Sequence, residues 1–124
     1  MPEVILLSTD LMLTSTVSGA ARLAGLSFRT VRGASELTDL SDDSGSIVCC
    51  DLNAAGLDLE ALAKSLPPRT LKQAIAFGPH VHAAKLAHAT ECGFGAVVSR
   101  GQFVAKLSEL LSQRSSVGTS DQSE

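Results

Sequence analysis

The order of apolar and polar positions along the chain predicts strands that alternate with helices. Residues 4–7 and 47–50 are continuous apolar runs, which is the pattern of strands that helices cover on both faces. Residues 26–31 alternate in polarity, as expected for an edge strand that is half open to water. Shorter apolar stretches at 73–77 and 96–99 predict two more strands. The pattern therefore indicates five strands in total.

Apolar residues at helical spacing fill the segments between these strands. The first helix follows three good capping residues, Ser8, Thr9 and Asp10, and Gly25 gives it a C-terminal stop. Pro67 ends a later helix together with the proline that follows it, because neither can continue the hydrogen-bond ladder. The further helices are predicted at residues 35–40, at 59–66, at 81–92, and around Phe103, Leu107, Leu110 and Leu111.

Strands that alternate with helices imply right-handed crossovers and a parallel sheet. The predicted fold class is α/β, with a doubly wound five-stranded parallel sheet in a flavodoxin-like, three-layer α/β/α sandwich. The 124 residues give length for one domain, predicted over residues 1–112, with a polar and disordered tail over 113–124. Ligands bind such sheets outside the carboxyl ends of the central strands, so those ends are the segments to interpret for function.

Composition narrows the class of partner. The net charge is −3, and Lys and Arg are scattered singly, so the chain lacks the basic stripe that nucleic acid demands. No apolar run approaches the length that spans a bilayer, and the first residues lack the features of a signal peptide. Cys49 and Cys50 are neighbours in a predicted strand and point to opposite faces, so reduced thiols are expected. These features predict a cytoplasmic protein without nucleic-acid or membrane partners.

The segment around the third strand resembles a known family. Residues 46–58 read Ser-Ile-Val-Cys-Cys-Asp-Leu-Asn-Ala-Ala-Gly-Leu-Asp, which is similar to the third strand and following loop of response-regulator receiver domains. Asp51 falls on the phosphoacceptor position, and Asn53 lies in the pocket loop. The resemblance covers residues 4 to about 111 and rests on spacing and element order. It implies a receiver fold and a role in two-component signalling.

The positions that would bind metal depart from that family. Ser8 and Thr9 stand where the resemblance implies an acidic pair that holds Mg²⁺ with the acceptor Asp, and neutral hydroxyls bind Mg²⁺ weakly. A register shifted by one residue would place Asp10 in the pair, whereas the simpler interpretation of Asp10 is the N-cap of the first helix. No cofactor is therefore expected, unless phosphorylation is retained and Asp10 and Asp51 bind Mg²⁺ together.

The ends of the fourth and fifth predicted strands also depart from the family pattern. Gly78 stands at the position of the hydroxyl that moves toward the phosphate, and Arg100 replaces the family's Lys. Arginine keeps the charge, but its planar fork prefers bidentate pairing. Val97 stands at the aromatic switch position. These departures indicate a degenerate receiver, or pseudo-receiver, and we hypothesise that Arg100 pairs with Asp51 across the pocket.

Two other interpretations concern single groups. Asp51 could instead be a structural carboxylate that caps the loop from Asn53 to Gly56 through backbone N–H groups. The helical pair His88 and Cys92, with His80 and His82 nearby in sequence, suggests metal. One such pair supplies only half of a tetrahedral site, so no metal is expected there.

The favoured function is a non-catalytic signalling module that docks to a protein partner. The resemblance implies a docking face made of the fourth helix, fifth strand and fifth helix, at residues 81–111. The first alternative is a working phosphoacceptor that uses Asp51. The second is a small-ligand binder that has reused the pocket. The sequence leaves the oligomeric state open, with a homodimer among the options.

Overall fold

The computed structural model describes residues 3–40, 45–54 and 56–115. Its strands, in chain order, are β1 (Glu3–Leu7), β2 (Ser27–Val31), β3 (Ile47–Asp51), β4 (Ile75–Gly78) and β5 (Ala96–Ser99). Its α-helices are α1 (Leu11–Leu23), α2 (Leu59–Ser65), α3 (Pro68–Gln73), α4 (Ala83–Cys92), α5 (Arg100–Ala105) and α6 (Leu107–Ser115).

The five strands form one parallel sheet in the order β2-β1-β3-β4-β5. The predicted fold class is confirmed, including the edge position of β2. The winding direction reverses between β1 and β3, and these two strands lie side by side in the sheet. The carboxyl ends of β1 and β3 are therefore where a site is expected in this architecture.

Two hydrophobic cores cover the two faces of the sheet, as a three-layer sandwich requires. Cys49 belongs to the core beneath α1, with Val17 and Phe103, whereas Cys50 belongs to the opposite core, with Leu62. Both cysteines are unpaired thiols, and burial raises the pKa of each to about 12. The expectation of reduced thiols that pack in the core agrees with this placement.

Three elements differ from the sequence-based predictions. The predicted helix at 35–40 is a single 3₁₀ turn, Ala34–Leu37. The second proline, Pro68, does not simply terminate a helix but begins α3, because proline at the first helical position loses no hydrogen bond. The final helix divides at Lys106, where the backbone leaves helical geometry (φ −109°, ψ 12°).

The C-terminal boundary also moves. Helix α6 continues to Ser115, so the predicted end of the folded domain at residue 112 is three residues too early. Residues 116–124 and the predicted loop residues 41–44 lie outside the described residues. Disorder of the tail stays a prediction. None of the helices in the described part of the chain is long and apolar enough to cross a membrane.

Candidate functional site

The site is built at the carboxyl ends of β1 and β3. Leu7 of β1 is in register with Cys50 of β3, so the residues that follow, Ser8 and Asp51, lie at the same level. The Ser8 hydroxyl donates to Asp51 Oδ2 at 2.7 Å. Both side chains are buried, with 9% and 5% of their residue surface exposed. A buried hydroxyl and a buried carboxylate thus satisfy each other.

The second oxygen of Asp51 is held by the loop that follows. The Asn53 N–H donates to Asp51 Oδ1 at 2.9 Å, and the Ala54 N–H donates to the Asp51 carbonyl at 3.0 Å. This is the loop-capping geometry that Asp favours. The Asn53 contact is through its backbone, and the residue itself is exposed.

Asp10 lies two residues after Ser8, at the start of α1. Its Oδ1 accepts the Leu13 N–H at 3.1 Å, so it is the N-cap of α1 as predicted. Its own N–H donates to the Ser8 hydroxyl at 3.1 Å. Ser8, and not Asp10, therefore contacts Asp51, which agrees with the unshifted register. Thr9 is exposed and makes no hydrogen bond within the described residues.

Arg100 is the first residue of α5. Its position is fixed by a capping box in which the Ser99 hydroxyl accepts the Gln102 N–H and the Gln102 side chain accepts the Ser99 N–H. The Arg100 guanidinium forms an ion pair with Asp10 Oδ2. This pair, followed by the Leu13 N–H, lowers the pKa of the Asp10 carboxyl.

The hypothesised pair between Arg100 and Asp51 is therefore wrong. Asp51 already has a donor on each of its oxygens, whereas Asp10 has one oxygen to spare after capping α1. The Asp10 and Arg100 side chains are also 32% and 40% exposed, so the charged groups keep part of their hydration when they pair. A buried pair would lose that hydration.

Gly78 ends β4 and is fully enclosed. A Cβ built on Gly78 would lie 3.3 Å from the Leu52 Cβ, and the Leu52 N–H donates to the Phe77 carbonyl at 2.9 Å. That hydrogen bond holds Leu52 against β4. Leu52 thus covers the position where the resemblance implies a hydroxyl. Leu52 is a residue of the site that was not predicted, and the one signal for it in the sequence is its place as an apolar residue directly after the strand-ending Asp51.

The donor set around Asp51 does not fit Mg²⁺. The cation prefers several oxygen ligands with at least one or two carboxylates. Among the described residues at the carboxyl ends of β1 and β3, Asp10 is already paired with Arg100, which leaves Asp51 as the one carboxylate without a charged partner. Elsewhere, His88 Nε2 lies 3.2 Å from Glu60 Oε2. Within the described residues no group of three His, Cys, Asp or Glu side chains is placed to hold a metal ion.

Taken together, four residues form one chain of contacts from Arg100 through Asp10 and Ser8 to Asp51, in which Asp10 contacts Ser8 through its backbone N–H and the other contacts join side chains. Each group in this acid cluster donates to, or accepts from, the next. Of the predicted pocket residues, Ser8, Asp10, Asp51 and Arg100 are brought together, Asn53 joins through its backbone, Gly78 lies under Leu52, and Thr9 points to solvent.

The fold is similar to two solved structures. NtrX from Brucella abortus superposes on 93% of this chain with a TM-score of 0.64 and 16% identity, and the chain spans only 28% of NtrX. A candidate response regulator from Chloroflexus aurantiacus J-10-fl gives a TM-score of 0.64 at 18% identity, covering 90% of this chain and 99% of that protein.

At these identities the likeness concerns the fold alone, which is receiver-like. No protein-family profile matches the sequence, and a comparison with curated proteins finds no match.

Proposed function

We propose that this chain is a receiver-like regulatory module that acts by contact with a protein partner and is not phosphorylated by the usual Mg²⁺-dependent route. The observation that carries the proposal is the environment of Asp51. Its two oxygens are occupied by the Ser8 hydroxyl and the Asn53 N–H. No second carboxylate of the described residues contacts it.

Phosphoryl transfer needs positive charge near the transferred group, because charge spreads over its three equatorial oxygens. At the acid cluster the guanidinium of Arg100 is neutralised by Asp10. Each Asp51 oxygen, either of which could attack phosphorus, accepts a hydrogen bond, from the Ser8 hydroxyl or from the Asn53 N–H, and these bonds lower the nucleophilicity of the carboxylate. Gly78 has no hydroxyl to contact a phosphate. These three features support the proposal that Asp51 stays unphosphorylated.

The experiment is incubation with acetyl phosphate and Mg²⁺, followed by intact-mass measurement. In a working receiver the Asp51 carboxylate attacks phosphorus, acetate leaves, and an acyl phosphate remains on the protein. We expect no added phosphoryl mass. Asp51→Asn is the matched control, since it removes the acceptor and keeps the shape of the side chain. Added mass in the wild type that is lost in Asp51→Asn would overturn the proposal and favour the phosphoacceptor alternative.

Exposed apolar side chains support the predicted docking face at residues 81–111. Val81 is 72% exposed in the loop before α4, and Val104 is 45% exposed on α5. Contiguous exposed apolar groups mark interaction surfaces, and α1 is the surface for comparison because it also carries exposed apolar groups, at Leu11, Met12 and Leu23. A photo-crosslinking residue at Val104 is expected to capture one partner in cells, equally in wild type and Asp51→Asn. Capture that is no stronger than at exposed Thr16 of α1 would contradict docking at this face.

A further inference from the structure

A cavity lies beside the acid cluster. It has a volume of about 590 Å³ and lies between the loop that follows β3, the start of α2, and α4. That volume is within the range of small-molecule sites, about 300 to 1,000 Å³. Its apolar lining consists of Leu52, Ala54, Leu57 and Leu59. The cavity therefore offers an apolar surface of a size suited to a small molecule.

Charged groups of both signs line this cavity. The Asp58 and Glu60 carboxylates belong to the start of α2, and the Lys85 ammonium group belongs to the first turn of α4. Asp58 Oδ1 accepts the Ala61 N–H at 3.1 Å, and Glu60 Oε2 lies 3.2 Å from His88 Nε2. Within the described residues each carboxylate thus keeps one oxygen without a partner, and Lys85 has no ion-pair or hydrogen-bond partner.

This pair of opposite charges selects among classes of ligand. A simple organic anion would bring its charge close to two carboxylates, and a simple organic cation would bring its charge close to Lys85. A neutral apolar molecule would displace water from charged groups without replacing the lost hydrogen bonds. A molecule that carries both charges can place each one beside a group of opposite sign, which is the favourable arrangement on both sides of the cavity.

We propose that the cavity binds an α-amino acid with an aliphatic side chain. The ammonium group of the ligand would lie beside Asp58 and Glu60, and its carboxylate would lie beside Lys85. Its aliphatic side chain would lie against Leu57 and the rest of the apolar lining. The proposal goes beyond docking to a protein partner, and it does not depend on whether Asp51 is phosphorylated.

The test is titration of the full chain with L-leucine, followed by backbone amide NMR. We expect saturable shifts at amides that line the cavity, those of Leu52, Ala54, Leu57 and Lys85. Three analogues each lack one part of the ligand: 4-methylpentanoate lacks the ammonium group, 3-methylbutylamine lacks the carboxylate, and glycine lacks the aliphatic side chain. Each analogue is expected to bind about fivefold more weakly than leucine.

Two variants assign the two charges of the ligand. Lys85→Gln should weaken leucine binding about fivefold, through loss of one partly hydrated ion pair, and should not weaken the binding of 3-methylbutylamine. Glu60→Gln should also weaken leucine binding, and should not weaken the binding of 4-methylpentanoate. Lys72→Gln and Glu109→Gln are the matched controls, because both side chains are exposed and lie outside the cavity. They should leave leucine binding unchanged.

Three results would overturn the proposal: no saturable shifts with leucine, equal affinity for leucine and a singly charged analogue, or an equal effect of Lys85→Gln on leucine and 3-methylbutylamine. Shifts centred on Leu11 and Met12, which are 84% and 82% exposed at the start of α1, would also overturn it, because they would place the contact on that surface. Both cavity variants replace exposed side chains, so folding is not expected to limit the comparison.

Discussion

Two neighbouring regions differ in how their polar groups are satisfied. In the acid cluster, Ser8, Asp10, Asp51 and Arg100 are all hydrogen-bonded or paired within the chain. In the adjacent cavity, the Lys85 side chain has no ion-pair or hydrogen-bond partner among the described residues, although the Asp58 and Glu60 carboxylates line the same cavity. Asp51 and Leu52 are consecutive, and Asp51 belongs to the acid cluster whereas Leu52 lines the cavity. A ligand at Asp51 must replace hydrogen bonds that exist, whereas the Lys85 side chain has none to replace.

The difference explains how the fold accommodates a buried acidic residue at the end of β3. A buried carboxylate is costly unless it is hydrogen-bonded. Ser8 and the Asn53 N–H meet that requirement without metal. The acid cluster therefore stabilises the fold at the point where receiver domains would place a reactive pocket. This role in stability can be tested by substitutions that remove a hydrogen bond, add a side chain or remove a charge at one position, each compared with a matched control.

The largest effect is expected for Ser8→Ala. The change removes the donor to Asp51 Oδ2 and the acceptor of the Asp10 N–H, and it leaves a buried carboxylate with one donor fewer. The free energy of unfolding should fall by about 2 kcal/mol. Urea denaturation measures the change. Thr9→Ala, at the exposed neighbour, should have almost no effect. Equal losses of unfolding free energy in the two variants would show that the Ser8 hydrogen bonds contribute no more to stability than the exposed Thr9 hydroxyl does.

A smaller effect is expected for Gly78→Thr, which restores a hydroxyl at the position implied by the resemblance. The new Cβ lies 3.3 Å from the Leu52 Cβ, and the hydrogen bond from Leu52 to Phe77 resists a shift of Leu52. Overpacking should lower the free energy of unfolding by about 1 kcal/mol.

Two controls separate this contact from a general effect of threonine. Gly33→Thr introduces the same side chain where no atom lies within 4 Å and should be nearly neutral. The cost of Gly78→Thr should be smaller in a Leu52→Gly background, because the Leu52 Cβ, the atom nearest to the new Cβ, is then absent. Additive losses in the double variant would mean that Leu52 does not block the position.

The fold was predictable because its signals are local. The run at 47–50 specifies a buried strand and the stretch at 96–99 specifies a strand, and the observed β3, which is buried, and β5, which is half-buried at the sheet edge, agree closely with these bounds. The helix that starts at Pro68 was missed because a proline at a helix start and one after a helix end read alike in sequence. Packing of neighbouring segments, and not local preference, decides between them.

The site was likewise predictable where its contacts are local in sequence. The cap made by Asp10 spans three residues, so its sequence signal is complete. The partner of Arg100 is 90 residues away and depends on which helices share a face of the sheet. The sequence-based hypothesis paired Arg100 with Asp51 and considered Asp10 only as a helix cap or a metal ligand. Only the three-dimensional count of donors on Asp51 shows that Asp10 is the one left with a free oxygen.

The smallest effect is expected for Arg100→Gln, which removes the charge from the exposed end of the acid cluster. The ion pair lowers the pKa of Asp10 below the ordinary value of 3.8. A carboxyl whose pKa is depressed in the folded state stabilises the fold above that value, and this stabilisation is lost as the pH falls through the folded-state pKa. Wild type should therefore be slightly more stable than Arg100→Gln at pH 7, with the difference vanishing in acid.

Urea denaturation at neutral and acidic pH, with an NMR titration of the Asp10 carboxyl, measures both parts of this expectation. In Arg100→Gln the pKa of Asp10 should rise toward its ordinary value, and remain somewhat low because the Leu13 N–H still donates to it. Arg100→Lys should keep most of the shift, since it keeps the charge but not the planar fork. Added salt should shrink the difference, because the pair is partly exposed. A stability difference that persists unchanged in acid would mean that Arg100 acts through packing and not through its charge on Asp10.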